Sequence, residues 1–210
     1  MLYHGTERVD MYPANISEKN ETPKKLIRLL VQLAVSRDPF TWDHSRRVER
    51  LALQLAQHTC FPTEKFGLLG QAAFLHDAGK LVIPEQITNK AGRLTEEEYR
   101  IMQQHTVLGH KLIQPLGLDL MIGNTVLYHH ENYDGSGYPF GISGEAIPLE
   151  ARIIRVVDFY DALVSPRPYR GAHDHNEAIG ILVENRHCFD PSLFRIFLDD
   201  PGSLQAGFDE

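Results

Sequence analysis

Cysteine is scarce in this 210-residue chain, which has only Cys60 and Cys188, far apart and in no ligand-like spacing. Such usage argues against a disulfide framework and fits a reducing compartment. The chain also lacks the roughly 18 uninterrupted apolar residues that a membrane span needs, because its best candidate, 26–35, is broken by Arg28 and Gln32. The N-terminus does not show the basic-then-apolar order of a secretion signal. We therefore expect a cytoplasmic protein with no membrane segment.

Basic residues are also in deficit. Lysine and arginine total 21 against 28 aspartates and glutamates, which gives a formal net charge of −7. A nucleic acid is therefore not the expected partner, since its binding usually requires a basic face. A phosphate-bearing substrate would have to be held by a few local cations, either basic side chains or metal ions. Histidine, in contrast, is abundant, with eleven residues.

The chain has few strand signals, no internal repeat and no low-complexity tract, whereas apolar residues recur at helical spacing through most of it. This pattern predicts an all-α domain over 22–200, a disordered lead-in or linker over 1–21 and a tail over 201–210. A capping box of Thr95 and Glu98 marks one helix start. The predicted helices are 22–37, 41–57, 63–78, 95–114, 119–130, 149–164 and two short ones near 175–185 and 190–198.

Several polar side chains occupy helix positions where the apolar stripe predicts burial. His44, Asp77, His105 and Asp158 each lie on the inner stripe of a different predicted helix. Burying an unpartnered imidazole or carboxylate costs several kcal/mol. Any one of these side chains could form a hydrogen bond with a backbone carbonyl. Four buried side chains that each need a separate partner are harder to accommodate than four that share one. A shared metal centre would offset all four penalties together.

Three more histidines extend this set: His76 precedes Asp77, and the pair His129–His130 ends another predicted helix. Five histidines and two aspartates are too many for one tetrahedral zinc, which takes four ligands. They suit two six-coordinate ions that share a carboxylate and keep positions open for water and substrate. Two-metal sites of this kind catalyse in-line displacement at phosphorus. The residues therefore predict a hydrolase that acts on a phosphate ester.

Four sequence segments follow one another in an order that resembles the order of motifs in a known family. The segments are "HDAGK" at 76–80, "HTVLGHKLI" at 105–113, "HHENYDGSGYP" at 129–139 and "ARIIRVVDFYDALVSPRPYR" at 151–170. Together with His44 they resemble the HD superfamily of metal-dependent phosphohydrolases, and more closely its HD-GYP subfamily. The likeness covers roughly residues 38–192. It implies an all-α HD-domain helical bundle with additional C-terminal helices and a GYP loop.

The resemblance also implies a cofactor. One metal would be held by His44, His76, Asp77 and Asp158, and Asp77 would bridge to a second metal held by His105, His129 and His130. Iron and manganese are both expected, because a mixed histidine and carboxylate set does not select sharply between them. Some members of the family carry a glutamate four residues before the first histidine and bind a third metal. Phe40 occupies that position here, so we expect two metals.

The implied activity is hydrolysis of cyclic di-GMP to linear pGpG, in some members on to GMP. Asp77 and Lys80 would be the catalytic residues, with a metal-bridging hydroxide attacking phosphorus and Lys80 stabilising the developing charge. Arg167 and Arg170, with Lys80, would contact the substrate. Gly137 and Tyr138 would shape the cleft, and the GYP loop would also meet a GGDEF-type cyclase. The apolar helix at 26–35 could support a homodimer.

Other interpretations stay open from the sequence. Another cyclic dinucleotide, such as a mixed GMP–AMP ring, could be the substrate, because residues that read guanine are not apparent. The chain could also be a weakly active module that binds cyclic di-GMP or acts as a scaffold, or a diiron oxygenase with an overlapping ligand set. The His129–His130 pair and the GYP segment favour the phosphodiesterase. Glu131 and Asp161 are interpreted as support for the ligands, and the remaining histidines as structural.

Overall fold

The computed structural model describes residues 27, 29, 30, 32, 33, 39–165 and 171–199. These residues form helices connected by turns and loops, and none of them forms a strand. The all-α prediction is therefore confirmed. The α-helices after residue 33 are α1 Pro39–Gln57, α2 Phe66–Leu75, α3 Glu85–Thr88, α4 Glu96–Gln103, α5 His105–Ile113, α6 Leu120–Tyr128, α7 Leu149–Val164, α8 His175–Glu184 and α9 Pro191–Asp199. Short 3-10 helices cover Thr63–Lys65, Ala78–Val82, Gln114–Leu116, Gly144–Ala146 and Arg186–Cys188.

Two apolar helices, α2 and α7, form the centre of the core. Every residue of α2 from Leu69 to Leu75 is buried, and α7 buries nine of its sixteen residues. Helix α2 packs against α1 and α6, while α7 packs against α1, α6, α8 and α9. A polar side chain on an inward face of these helices has little access to water. It must therefore find its partner on a neighbouring helix.

Local sequence signals set two helix starts by a capping box, and the one at Thr95 was predicted. Thr95 caps α4 through a capping box, in which the Glu98 backbone N–H donates to Thr95 Oγ1 at 3.3 Å and the Thr95 N–H donates to Glu98 Oε2 at 2.7 Å. Asp174 and Glu177 form the same reciprocal pair at the start of α8. Each cap satisfies backbone donors that have no partner within the helix.

Two predicted boundaries differ from the structure. Helix α2 ends at Leu75, so Asp77 lies in the turn before the 3-10 helix Ala78–Val82, and the prediction that Asp77 belongs to the stripe of a helix reaching 78 is wrong. The predicted 95–114 helix is broken at Gln104 into α4 and α5. Close packing accounts for the first difference. Gly79 lies against the backbone of α5, and a β-carbon there would be 1.9 Å from the His105 carbonyl oxygen.

Some predictions concern parts of the chain outside the described residues. These are the lead-in 1–21, the tail 201–210, the side chain of Phe40, and Arg167 and Arg170. In the apolar segment 26–35, Ile27 is buried, whereas Leu29 and Leu33 are about half exposed. None of the helices that the structure describes combines the length and apolar character needed to cross a bilayer.

Glu49 of α1 is an acid whose titration is shifted by packing. Its side chain is partly buried, and its Oε1 lies 3.1 Å from the position that a β-carbon on Gly70 of α2 would take. Burial raises the pKa of Glu49 from 4.5 to about 7, against the opposing effect of Arg46. Because the pKa is higher in the folded state, the folded chain binds this proton more tightly. The contribution of Glu49 to stability is then greatest below pH 4.5 and is lost as the pH rises through 7.

We predict that Glu49→Gln raises the melting temperature of chelator-treated protein at pH 8, where the wild-type carboxylate is ionised. The expected gain in the free energy of unfolding is about 2 kcal/mol, and most of it should be lost at pH 4.5, where the folded carboxyl is protonated and the unfolded one is half protonated. Thermal unfolding followed by circular dichroism measures both values. Asp43→Asn, at an exposed acid of the same helix, is the control. Equal gains at the two pH values would contradict the prediction.

A second prediction concerns the contact of Gly79 with α5. The β-carbon in Gly79→Ala would meet the backbone of His105 and Gly109, at 1.9 and 2.6 Å, so the segments must separate and we expect a loss of about 2–3 kcal/mol. Gly180→Ala is the matched control, because open space surrounds that helical glycine and alanine should stabilise α8 by up to about 1 kcal/mol. Urea unfolding of both variants tests this. An unchanged stability of Gly79→Ala would show that α5 moves freely.

Candidate metal centre

Side chains from five parts of the chain converge beside the core. Asp77 and His76 come from the turn after α2, His105 begins α5, and the pair His129–His130 follows α6. Helix α1 adds His44 and helix α7 adds Asp158. Six of these residues form two groups that share Asp77, and within each group the ligand-type atoms lie within 4.8 Å of one another. Asp158 lies beside the first group, with its Oδ1 3.2 Å from His44 Nε2. The seven predicted residues are thus brought to one place.

The first position consists of His44, His76, Asp77 and Asp158. His44 Nε2 lies 3.3 Å from His76 Nε2, 3.2 Å from Asp158 Oδ1 and 3.7 Å from Asp77 Oδ2. His76 Nε2 lies 3.4 Å from Asp77 Oδ2 and 3.7 Å from Asp158 Oδ1. Ligand atoms about 2.1 Å from one ion are about 3 Å apart when their bonds are perpendicular. The observed spacings are close to this value.

The second position consists of Asp77, His105, His129 and His130. His105 Nε2 lies 3.3 Å from Asp77 Oδ1 and 3.2 Å from His129 Nε2. The rings of His129 and His130 are adjacent, with their centroids 4.2 Å apart. The two oxygens of Asp77 therefore face different positions, Oδ2 the first and Oδ1 the second. A carboxylate placed in this way can bridge two cations.

Local backbone geometry aims three of the imidazoles. Nδ1 of His76, His105 and His129 donates to the carbonyl oxygen three residues earlier, at 2.5, 2.8 and 3.0 Å respectively. A carbonyl oxygen can only accept, so the proton must be on Nδ1, and in a neutral ring the Nε2 lone pair is left free. In each case that lone pair faces the cluster. This arrangement is typical of histidines that ligate metals.

The polar atoms in the centre fit divalent cations better than they fit each other. Asp77 Oδ1 is buried without a hydrogen-bond partner among the described residues. Its neighbours, Nε2 of His105 and His129 at 3.3 and 4.0 Å, are acceptors when these rings are neutral. Converging acceptors repel one another in a buried site, whereas a cation attracts all of them. The donor set of imidazoles and carboxylates suits iron, manganese or zinc.

The pKa values show which rings are neutral before metal binding. Burial lowers the pKa of His105 to about 4 and the pKa values of His129 and His130 well below their usual range. Burial would also lower the pKa of His44, but hydrogen bonds to Asp158 and Asp161 raise it to about 9. Burial would raise the pKa of Asp77, yet the charge of Lys80 and contacts with His76 hold it well below its usual range. Asp77 is thus ionised at neutral pH.

Lys80 lies at the entrance of the cluster. Its Nζ donates to Asp77 Oδ2 at 2.5 Å, and its side chain is 28% exposed. The 3-10 helix Ala78–Val82 places it there, with Gly79 packed on α5 behind it. The ammonium therefore borders both the carboxylate at the centre and the solvent.

The glycine loop, residues 131–141, contains the predicted GYP loop and covers the second position. Tyr138 stacks on His130, with ring centroids 4.8 Å apart and planes 26° apart, and its N–H donates to the His130 carbonyl at 3.1 Å. Gly137 packs so closely that a β-carbon would lie 2.2 Å from the Asn132 nitrogen. The buried Glu131 accepts the Phe140 N–H at 2.7 Å. The loop thus holds Tyr138 against a predicted ligand.

Sequence reasoning missed one partner of the cluster. Arg47, one turn after His44 on α1, donates to the buried Asp161, which in turn accepts from His44 Nδ1 at 2.7 Å. The spacing of three residues from His44 was the available signal. Histidines interpreted as structural have other partners: His110 bonds the Gly123 carbonyl at 3.0 Å, and His175 bonds Tyr160 at 2.9 Å.

Comparison with known proteins identifies relatives of this chain. It is 38% identical over 195 residues to the cyclic di-GMP phosphodiesterase response regulator RpfG of Xanthomonas campestris, a match that covers 91% of this chain and 52% of RpfG. It is 34% identical over 172 residues to a 3′3′-cGAMP-specific phosphodiesterase of Vibrio cholerae, covering 81% of this chain and 40% of that protein. The chain thus spans about half, or less, of the length of these relatives.

A solved structure resembles this chain in fold, and a family model matches its sequence. The fold matches an "HDG'Y'P" protein from Bdellovibrio bacteriovorus with a TM-score of 0.65 and 19% identity, covering 85% of this chain and 61% of that one. The family model of the HD domain matches residues 28–193. The seven-residue cluster lies wholly within this range. The chain therefore belongs to the HD-domain family, in its HD-GYP branch, as the order of its motifs indicated.

Proposed function

We propose that this chain is a metal-dependent phosphodiesterase that hydrolyses cyclic di-GMP to linear pGpG, with GMP as the product of any second cleavage. The observation that carries the proposal is the buried Asp77, whose two oxygens face two separate groups of histidines. Two cations about 3.5–4 Å apart can clamp the attacking and leaving oxygens of a phosphoryl displacement. A shared carboxylate between two ligand groups is the arrangement that would hold such a pair.

The relatives support a cyclic dinucleotide as the substrate class. Both RpfG and the Vibrio cholerae protein are named for phosphodiesterase activity, the first on cyclic di-GMP and the second on 3′3′-cGAMP. These rings share the diester and differ in one base. The mixed GMP–AMP ring is therefore the second candidate substrate. A diiron oxygenase receives no support from the names of these relatives.

The proposed cofactors are two divalent ions, iron or manganese. His44, His76, Asp77 and Asp158 would hold one ion, and Asp77, His105, His129 and His130 the other. When bound, such ions activate water near neutral pH and neutralise charge on the phosphate. We propose no third ion, because Phe40 offers no ligand atom at the position where some members of the family carry a glutamate.

The side chains around the cluster would bind and orient the diester. The Lys80 ammonium lies beside the centre and is partly exposed, so it can donate to a phosphate oxygen and stabilise charge as it develops there. Tyr138 and the backbone at Gly137 would form one wall of the cleft. Arg167 and Arg170 follow α7 in the sequence and are proposed to grip phosphate or base. Local positive charge of this kind lets an acidic protein bind a dianion.

Two proposed partners concern other surfaces. The glycine loop exposes Phe140, whose surface is 61% accessible, and an exposed aromatic residue beside the cleft is a candidate contact for a GGDEF-type cyclase. Leu29 and Leu33 are about half exposed on the segment proposed for a homodimer. Both partners stay predictions. A scaffolding function alone would not need a complete set of seven metal-type ligands.

We predict that the anaerobically purified chain contains two iron or manganese ions and converts cyclic di-GMP to pGpG faster than it converts 3′3′-cGAMP. Asp77→Ala should lose both metal and activity, because its carboxylate serves both positions. Elemental analysis and chromatography of the products measure the two properties. His187→Ala, at an imidazole 57% exposed outside the cluster, is the control and should keep both.

The possible results separate the alternatives. Two metals with faster cleavage of 3′3′-cGAMP would establish the second candidate substrate. Two metals without hydrolysis of either ring would reject the phosphodiesterase proposal and favour a binding module or oxygen chemistry. One ion or none in the wild-type chain would refute the two-metal centre.

The role of Lys80 has a matched control in the chain. Lys80→Met should lower kcat on cyclic di-GMP roughly 100- to 1,000-fold, the usual cost of removing a donor that stabilises an oxyanion, while the metal content stays unchanged. Lys90 is also a partly exposed lysine with Nζ 2.5 Å from a carboxylate, that of Glu98. Lys90→Met should therefore keep the wild-type kcat. A similar kcat for both variants would contradict a catalytic role of Lys80.

A further inference from the structure

The two metal positions differ in what lies behind their histidines. At the second position, Nδ1 of His105 and His129 bonds neutral backbone carbonyls. At the first position, Nδ1 of His76 also bonds a backbone carbonyl, but Nδ1 of His44 bonds the carboxylate of Asp161 at 2.7 Å. A carboxylate behind an imidazole fixes the orientation of the ring and makes its other nitrogen a stronger donor to a metal.

Asp161 is held from several sides in the contact between α1 and α7. Its side chain is fully buried. Arg47 donates Nε to Oδ1 at 2.6 Å and Nη2 to Oδ2 at 3.1 Å, and Ser165 donates its hydroxyl to Oδ2 at 3.0 Å. The two-pronged contact with Arg47 compensates the buried charge and sets the plane of the carboxylate. Asp161 therefore presents a fixed acceptor to His44.

Helix spacing explains why these contacts form a pair of layers. His44 and Arg47 are three residues apart on α1, and Asp158 and Asp161 are three residues apart on α7, so each pair lies on one face of its helix. The first layer joins His44 Nε2 to Asp158 Oδ1 at 3.2 Å, inside the cluster. The second layer joins Arg47 to Asp161 directly behind it. His44 lies between the two acids.

The charges of the two positions are also unequal. The first position includes the carboxylates of Asp77 and Asp158, with Asp161 behind His44. The second includes Asp77 and three imidazoles. We propose that Asp161, held by Arg47, is the positioning residue that fixes His44 and makes the first position the tighter of the two metal sites. This inference depends on the proposed two-metal centre, not on the identity of the substrate.

Titration of chelator-stripped protein with Mn²⁺ tests the inference, with free Mn²⁺ counted by electron paramagnetic resonance. The wild-type chain should bind two ions in two steps of different affinity. Asp161→Asn keeps the side-chain volume but removes the charge, and it should weaken the tighter step roughly 10- to 100-fold while the weaker step stays unchanged. His105→Gln, at the second position, should instead weaken the other step, which assigns each step to its position.

Two further variants keep the test decisive. Ser165→Ala removes one donor to Asp161 but leaves the contacts with His44 and Arg47. It should therefore keep both steps within about threefold of wild type, below the 10- to 100-fold loss expected for removing a group that bonds a ligand directly. If Asp161→Asn does not fold, as judged by circular dichroism, Arg47→Lys provides the measurement. It keeps the charge but loses the two-pronged contact, and it should weaken the tighter step.

Two results would overturn the inference. One is an unchanged tighter step in folded Asp161→Asn or, where that variant does not fold, in Arg47→Lys. The other is weakening of the step that His105→Gln affects. Both leave the two-metal proposal intact. A wild-type chain that binds fewer than two Mn²⁺ ions would overturn the metal centre itself, and with it the inference.

Discussion

Repulsion among buried acceptors is the constraint on which the centre of this molecule depends. The Asp77 carboxylate, the Asp158 carboxylate and the Nε2 atoms of several imidazoles meet at distances of 3.2–4.0 Å, and Asp77 Oδ1 has no donor among the described residues. Removing such groups from water is costly unless a positive partner is supplied. Lys80 supplies part of that charge at the edge. A pair of cations would supply the rest.

Orientation of the imidazoles costs the chain little because it uses groups that helices already provide. The carbonyl three residues earlier is close to the ring of a histidine near a helix end, as at His76, His105 and His129. The last four carbonyls of an α-helix have no N–H partner four residues later within the helix, so they can accept from Nδ1. One hydrogen bond thus satisfies the backbone and aims the ring. His44, inside the long helix α1, uses the side chain of Asp161 instead.

Glycines let the backbone approach the cluster closely enough to complete it. Gly79 brings the turn after α2 against α5, and Gly137 brings the glycine loop against the backbone that follows α6. Both positions meet backbone atoms that cannot move aside. The first contact sets the distance between Asp77 and His105, and the second sets Tyr138 on His130. The site is therefore assembled by backbone packing as much as by its ligands.

The sequence by itself determined the helical class, the main helix cores and the identity of the polar residues that had to be buried. Periodicity and capping are local properties, and a polar residue on an apolar stripe can be recognised without coordinates. The end of α2 at Leu75 and the partnership of Arg47 with Asp161 were decided by tertiary structure. Each results from a contact between segments distant in the chain, such as Gly79 on α5 or α1 on α7. Local propensity carries no information about those contacts, because their free energy exists only once the helices have packed.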